Sequence, residues 1–155
     1  MKGAAVLKTG KRKFIEPRKI SPEEFGAALV RIPELKAKLT AVTERMNAGI
    51  AAAERALGNL GLGVPGRVCF PDGERWLYLE KRGIAEWRLL VVYEDEGEEE
   101  LLGSASRETR IQALALLPHL VLALCKTSMD ETERITKLVG QTAEYLSLVQ
   151  AAGNS

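Results

Sequence analysis

The sequence predicts an α+β fold dominated by helices, in which long antiparallel helices pack with a small three-stranded antiparallel β-meander. Residues 33–60 and 128–150 repeat apolar side chains at steps of three and four, the spacing of amphipathic helices. Between these blocks, residues 67–94 contain both tryptophans, two of the three tyrosines and one of the three phenylalanines, an aromatic enrichment typical of β-strands. At 155 residues, with 46% hydrophobic residues, the chain is long enough to bury a core of its own.

Charge and composition divide the chain into three parts. Residues 1–20 carry seven lysines and arginines against Glu16 alone, a net charge of +6. The whole chain carries +1, which leaves −5 for residues 21–155. We therefore expect a flexible basic arm at residues 1–20, a single domain at 21–150 and a disordered tail at 151–155.

Residues 21–60 are predicted to form two consecutive helices. Ser21 is a preferred N-cap, the proline after it suits the first helical position, and Glu24 completes a capping box. Pro33 disfavours the α conformation at the residue before it, so the first helix should be short. The second helix, from Pro33 to Leu60, presents a seam that includes Val42 and Met46 and ends in a glycine-rich connector.

Residues 67–94 form the predicted β-meander. A hairpin turn placed at Gly83 and Ile84 sets Lys81 opposite Glu86. That register puts the aromatic residues Trp76, Tyr78 and Trp87 on one face of the sheet, together with Leu89 and Val91. The other face is also apolar, with Leu77, Leu79, Leu90 and Val92. Because both faces are apolar, we expect helices to cover one face and a partner to cover the other.

An acidic loop is predicted at residues 94–103, because six of the seven residues from 94 to 100 are acidic. A solvated loop is favoured over a cation site, since the run lacks the spacing of a calcium loop. Helices should follow over 106–150. Ser104 or Ser106 caps the first of them, and Pro118 should kink or end it.

The last predicted helix begins at an S-x-x-E pattern that starts at Ser128. Its apolar stripe includes Leu138 and Leu146. We expect this stripe to be buried against the seam at Val42 and Met46 of the antiparallel helix.

The reactive residue types form no catalytic or metal-binding pattern. His119 is the only histidine, and Cys69 and Cys125 lie far apart in apolar runs, where we expect buried free thiols. The glycines between 58 and 66 match neither the phosphate-loop nor the dinucleotide-binding spacing. We therefore predict a protein that is not an enzyme and that uses no cofactor and no metal.

Membrane insertion is not expected from the sequence. The longest apolar run, residues 111–125, is interrupted by polar residues and is shorter than the ~20 residues of a membrane span. The first residues lack the apolar stretch of a signal peptide. A cytoplasmic location without a membrane partner is the expectation.

These features favour a non-enzymatic protein that forms a homodimer and binds another macromolecule, as an adaptor, a regulator or an assembly subunit. Its candidate partner-binding residues are Trp76, Tyr78 and Trp87, with core packing as the alternative for these rings. The alternative function is a nucleic-acid-binding accessory protein, because a basic arm neutralises phosphates. The candidate residues for that function are Lys8, Lys11, Arg12, Lys13, Phe14, Arg18 and Lys19. The acidic loop is a competing partner for the same arm.

Overall fold

The computed structural model describes residues 16–154 and confirms the predicted α+β class, with helices dominating and one antiparallel sheet. Its elements are α1 (Pro22–Asn59), β1 (Gly66–Cys69), β2 (Arg75–Arg82), β3 (Glu86–Tyr93), β4 (Glu98–Leu101) and α2 (Arg107–Gly153). A short 3-10 turn, Leu102–Ser104, joins β4 to α2. The described backbone divides into two compact units, and the boundary between them, after residue 40, falls inside α1.

In the first unit, the start of α1 follows the predicted capping pattern. The hydroxyl of Ser21 accepts a hydrogen bond from the N–H of Glu24 at 3.1 Å, and the guanidinium of Arg18 pairs with the carboxylate of Glu24. The helix then continues through Pro33, so the predicted short first helix is wrong. Proline leaves the carbonyl of Leu29 without its helical donor, but Leu29 is half exposed, where water can supply the missing bond.

The sheet has four strands in the order β1-β2-β3-β4, one more than predicted. The additional strand, β4, occupies part of the segment that was expected to be an acidic loop. Three consecutive glutamates have low strand propensity, which hid the strand in the sequence. Specific partners hold two of the three: Glu99 accepts from Arg82 at 2.5 Å, and Glu100 accepts from the Tyr93 hydroxyl at 2.6 Å. The bond to Glu100 is the main reason that the pKa of Tyr93 is raised, with burial adding to it.

The register of the β2–β3 hairpin differs from the prediction by one residue. Lys81 lies opposite Trp87, and Arg82 lies opposite Glu86, so the loop contains the three residues 83–85. Gly83 adopts a φ of 68° there, a left-handed conformation that suits glycine. A shift of one residue moves one strand's side chains to the opposite face relative to its partner strand. Trp87 therefore lies on the inner face of the sheet, and Trp76 and Tyr78 lie on the outer face.

The core lies between the inner face of the sheet and the two helices. Leucines and a valine of β2 and β3 face Ile50 on α1 and three buried residues of α2. The buried set is Ile50, Phe70, Leu77, Leu79, Leu89, Val91, Leu102, Ala105, Ala113, Leu120 and Leu124. α2 approaches the sheet closely at Gly66 of β1, where a Cβ atom would lie 2.5 Å from Cδ2 of Leu124.

Within the second unit, the two helices cross the sheet in the same direction, so the predicted antiparallel arrangement is wrong. Near the start of α2, Arg110 donates a hydrogen bond to Asn47 of α1. Farther along, Leu124 of α2 lies beside Leu57 of α1. The direction follows from the connections. α1 ends near the end of the sheet at which β1 begins, and α2 begins near the opposite end of the strands.

α2 is one helix where two helices were predicted. The hydroxyl of Ser106 caps it, accepting from the N–H of Thr109 at 3.1 Å as expected. Pro118 lies on its exposed side and does not end it. Ser128 lies inside the helix and donates to the carbonyl of Leu124 at 2.8 Å, so it starts no new helix. The helix also runs through most of the expected tail, to Gly153.

Candidate interaction surfaces

The second half of α2 carries an exposed apolar stripe. We call residues 128–153 the α2 arm, and six of its side chains, each between 50% and 68% exposed, the α2 stripe. The stripe consists of Ile135, Leu138, Val139, Tyr145, Leu146 and Val149. These positions fall within about one third of the helix circumference, because an α-helix turns once every 3.6 residues.

The α2 stripe continues the face of α2 that is buried in the core. Thr109, Ala113, Leu120 and Leu124 lie in the same third of the circumference and are at most 5% exposed. The predicted burial of Leu138 and Leu146 against Val42 is wrong, because all three are more than half exposed. Met46 is the exception, since it packs on the core of the second unit. The periodicity identified the apolar face correctly but not what covers it.

The first unit has an apolar helix face of its own. Phe25, Leu29, Ile32, Leu35 and Leu39 of α1 recur at steps of three and four and are about half exposed. Glu34 and Lys38 form an ion pair at 2.6 Å in the same segment. Exposed pairs of this kind contribute little to stability, so packing of the apolar face is the larger potential source of free energy.

On the outer face of the sheet, two aromatic side chains are held by one arginine. The guanidinium of Arg67 lies 4.8 Å from the ring centroid of Trp76 and donates to the hydroxyl of Tyr78 at 3.1 Å. The indole N–H of Trp76 donates to Glu94 at 3.1 Å. The hydrogen bond to Tyr78 is the main reason that the pKa of Arg67 is raised. Both rings are therefore fixed in place, and both are half-buried.

Trp87, the third aromatic candidate, belongs to a different surface. It lines a cavity of about 560 Å³ between the last turns of α1 and the β2–β3 hairpin. The cavity walls include Glu54, Arg55, Lys81, Glu86 and Arg88. No sequence pattern marks this group, because its members come from three elements that only the fold brings together.

The candidate nucleic-acid residues lie mostly outside the described part of the chain: Lys8, Lys11, Arg12, Lys13 and Phe14 precede residue 16. Arg18 is exposed and paired with Glu24, and Lys19 is exposed. Nucleic-acid binding by the arm remains a prediction. The acidic residues expected to compete for the arm are partly engaged within the sheet, through Glu99 and Glu100.

Reactive side chains do not converge within residues 16–154. No three histidine, cysteine, aspartate or glutamate side chains come together there in a way that could hold a metal ion. His119 and Cys125 are exposed on α2, and Cys69 is half-buried, so the expectation of two buried thiols is wrong for Cys125.

By length and composition, α2 also qualifies as a possible membrane span, with an 18-residue window of mean hydropathy 1.4. Core helices of soluble proteins meet the same criterion. Leu120 and Leu124 of α2 are buried against the sheet, and 17% of the apolar window is buried.

Comparison with protein-family models, with curated proteins and with solved structures finds no match to this chain. The function must therefore be argued from the surfaces themselves.

Proposed function

We propose that this chain is a non-enzymatic protein that pairs with a second copy of itself through the α2 stripe and binds another macromolecule. The observation that supports self-association is the continuity of one helix face. This face is buried from Thr109 to Leu124 and exposed from Ile135 to Val149. Apolar side chains in the spacing of a packed helix are the sequence signature of a helix that has a partner.

A second copy is the occupant that best fits the α2 stripe. Ile135, Leu138, Thr142, Tyr145 and Val149 alternate steps of four and three, the repeat of helices that pack side by side. This segment is about 21 Å long, at a rise of 1.5 Å per residue. In a dimer with two-fold symmetry, the same stripe of each copy would form the interface, so each stripe would be covered by the other.

The exposed area sets an upper limit on the strength of this pairing. Burying the remaining half of a large apolar side chain contributes about 1 kcal/mol, and a dimer would bury six such side chains from each copy, about 12 kcal/mol in total. Association costs at least about 4 kcal/mol in lost motion. The balance of about 8 kcal/mol corresponds to a Kd of about 1 μM, so dimerisation through this stripe alone should be micromolar at best.

Light scattering on a sizing column tests the pairing in two variants that each add one negative charge. Leu138→Asp places the charge inside the α2 stripe. Ser147→Asp places it on the opposite side of the helix, nine residues and about 180° away. At about 100 μM, the wild type and Ser147→Asp should elute as dimers and Leu138→Asp as a monomer with unchanged helical signal. A monomeric wild type, or a dimer that withstands Leu138→Asp, would contradict the proposal.

The outer face of the sheet supports the binding of another macromolecule. Tryptophan, tyrosine and arginine supply most of the binding energy at protein interfaces, and all three meet here in Trp76, Tyr78 and Arg67. Because hydrogen bonds and stacking already fix these side chains, a partner would have to order little of this surface.

A further inference from the structure

One edge of β3 is open beside α1. β4 pairs with β3 only along Leu90–Tyr93, so no strand formed by residues 16–154 lies beside Glu86–Leu89 on that side. The N–H of Leu89 points to this open edge, because it donates to the carboxylate of Glu54 at 3.0 Å. Strand N–H groups two residues apart point the same way, so the N–H and C=O of Trp87 also point to the open edge.

The 560 Å³ cavity lies at this open edge. Its volume is within the usual range of ligand sites, about 300 to 1,000 Å³. Gly58 allows α1 to form one wall close to the indole, since a Cβ at that position would lie 3.2 Å from Cδ1 of Trp87. The loop at residues 83–85 forms the opposite wall, with Ile84 almost fully exposed. The cavity therefore combines an open strand edge with an aromatic ring and an exposed aliphatic side chain.

Three cations and two carboxylates line the cavity, a net charge of +1, and the two carboxylates lie beside the same arginine. Arg88 is occupied, because its Nη1 donates to Glu86 at 2.9 Å and its Nε lies 3.8 Å from the carboxylate of Glu54. Arg55 and Lys81 are exposed and form no ion pair or hydrogen bond with any residue between 16 and 154. A ligand that brings negative charge to this site would therefore meet two free cations.

We infer that this cavity binds an extended, acidic segment of another protein, which adds to the open edge of β3 next to the end of β4. The main chain of the segment would pair with the N–H and C=O of Trp87, as in other cases of strand addition. Its side chains would alternate between the two faces of the sheet. Those on the inner face share that face with Trp87 and Lys81 and lie towards α1 and Arg55, where acidic side chains are favoured.

Binding at this site does not require a second copy of the chain. The cavity is lined by residues between Ala51 and Arg88, and none of them belongs to the α2 stripe. A monomeric protein can therefore still bind the segment, and a dimer can fail to bind it. The two proposals fail independently.

Tryptophan fluorescence provides a direct test in the full-length chain. The chain has two tryptophans, so Trp76→Phe leaves Trp87 as the only indole and as a reporter inside the cavity. The probes are two end-blocked hexapeptides, an alternating Glu-Val repeat and an alternating Lys-Val repeat. A third probe is the Glu-Val peptide with its central backbone amide methylated, which removes a strand hydrogen bond and keeps the charge.

The Glu-Val peptide should change the Trp87 emission saturably, and the Lys-Val peptide should not. Replacing both cations, by Arg55→Gln and Lys81→Gln, should raise the Kd at least about tenfold. Lys137→Gln, which removes an exposed lysine on the α2 arm, should leave the Kd unchanged. Methylation of the backbone amide should also weaken binding.

Four results would overturn the inference. The first is no response to the Glu-Val peptide at concentrations up to about 1 mM. The second is an equal response to both peptide charges, and the third is an unchanged Kd after loss of both cations. Equal binding of the methylated peptide would also overturn it, because the peptide would then be held by charge without strand pairing.

Discussion

At Gly66, α2 packs closely against the sheet. Replacing this glycine therefore tests the packing that holds α2, which continues as the α2 arm, on the sheet. A Cβ at residue 66 would lie 2.5 Å from Cδ2 and 2.9 Å from Cγ of Leu124, where ordinary contacts are 3.4–4 Å. Leu124 is only 2% exposed and cannot swing into solvent. Gly66→Ala must therefore displace a packed side chain or shift the helix.

The cost follows from known effects of overpacking. An added methyl in a well-packed core destabilises by about 1 to 3 kcal/mol. Leu124→Ala alone should cost about 2 to 5 kcal/mol, because it leaves a cavity. In the double variant the new methyl occupies part of that cavity and clashes with nothing, so the double variant should be more stable than the sum of the single effects predicts, by about 1 kcal/mol or more.

Urea unfolding of the four proteins measures this coupling. Gly140→Ala is the matched control, since a Cβ there meets nothing within 4 Å. It should stabilise the helix by up to about 1 kcal/mol, the opposite sign to Gly66→Ala. The reasoning is refuted if Gly66→Ala is as stable as the wild type or if the two single effects add within about 0.5 kcal/mol.

Two further predictions concern the sheet. The full-length wild type should retain a macromolecular partner through purification with nuclease, and replacing both Trp76 and Tyr78 by alanine should remove it, because the aromatic anchors of the outer face are lost. Retention of the partner by this variant would contradict the assignment. Loss of every partner of the wild type on nuclease treatment would favour nucleic-acid binding. The pKa of Asp72 is lowered from 3.8, chiefly by the backbone N–H of Glu74, with further lowering by Arg75. A carboxyl group whose pKa is lowered by folding stabilises the fold at pH values above its ordinary pKa. This stabilisation is lost as the pH falls through the pKa of the folded state. Asp72→Asn should therefore lose less stability than the wild type below about pH 4, and equal slopes in acid unfolding would contradict this.

Local signals in the sequence identified the helix starts and the β-meander but not its register. Ser21 and Ser106 are caps because a cap depends on residues only three positions apart. The hairpin register was ambiguous, since Glu86 can face either Lys81 or Arg82 with opposite charge. The structure selects Arg82, and that pairing gathers the buried leucines of β2 and β3 on the inner face. Burial of the whole sheet outweighs one exposed ion pair.

What covers a surface could not be predicted, because it depends on where distant elements meet. The periodicity of α2 shows an apolar face but does not distinguish a helix of the same chain from a partner's helix. The prolines at 33 and 118 bias the backbone against a helix, yet neither ends one here. The cavity has no signal in the sequence, since Arg55, Lys81 and Trp87 come from α1, β2 and β3.

Self-association and segment binding use separate residues, and this separation has a consequence for affinity. A dimer joined through the α2 stripe would carry two cavities, one on each copy. A partner with one acidic segment would bind the dimer and the monomer equally well, since no stripe residue lines the cavity. A partner with two segments would bind the dimer more tightly, because its second binding step becomes intramolecular if the linker spans the two sites. Micromolar dimerisation would then make the affinity for such a partner depend on the concentration of this chain, so that one weak interaction regulates the other.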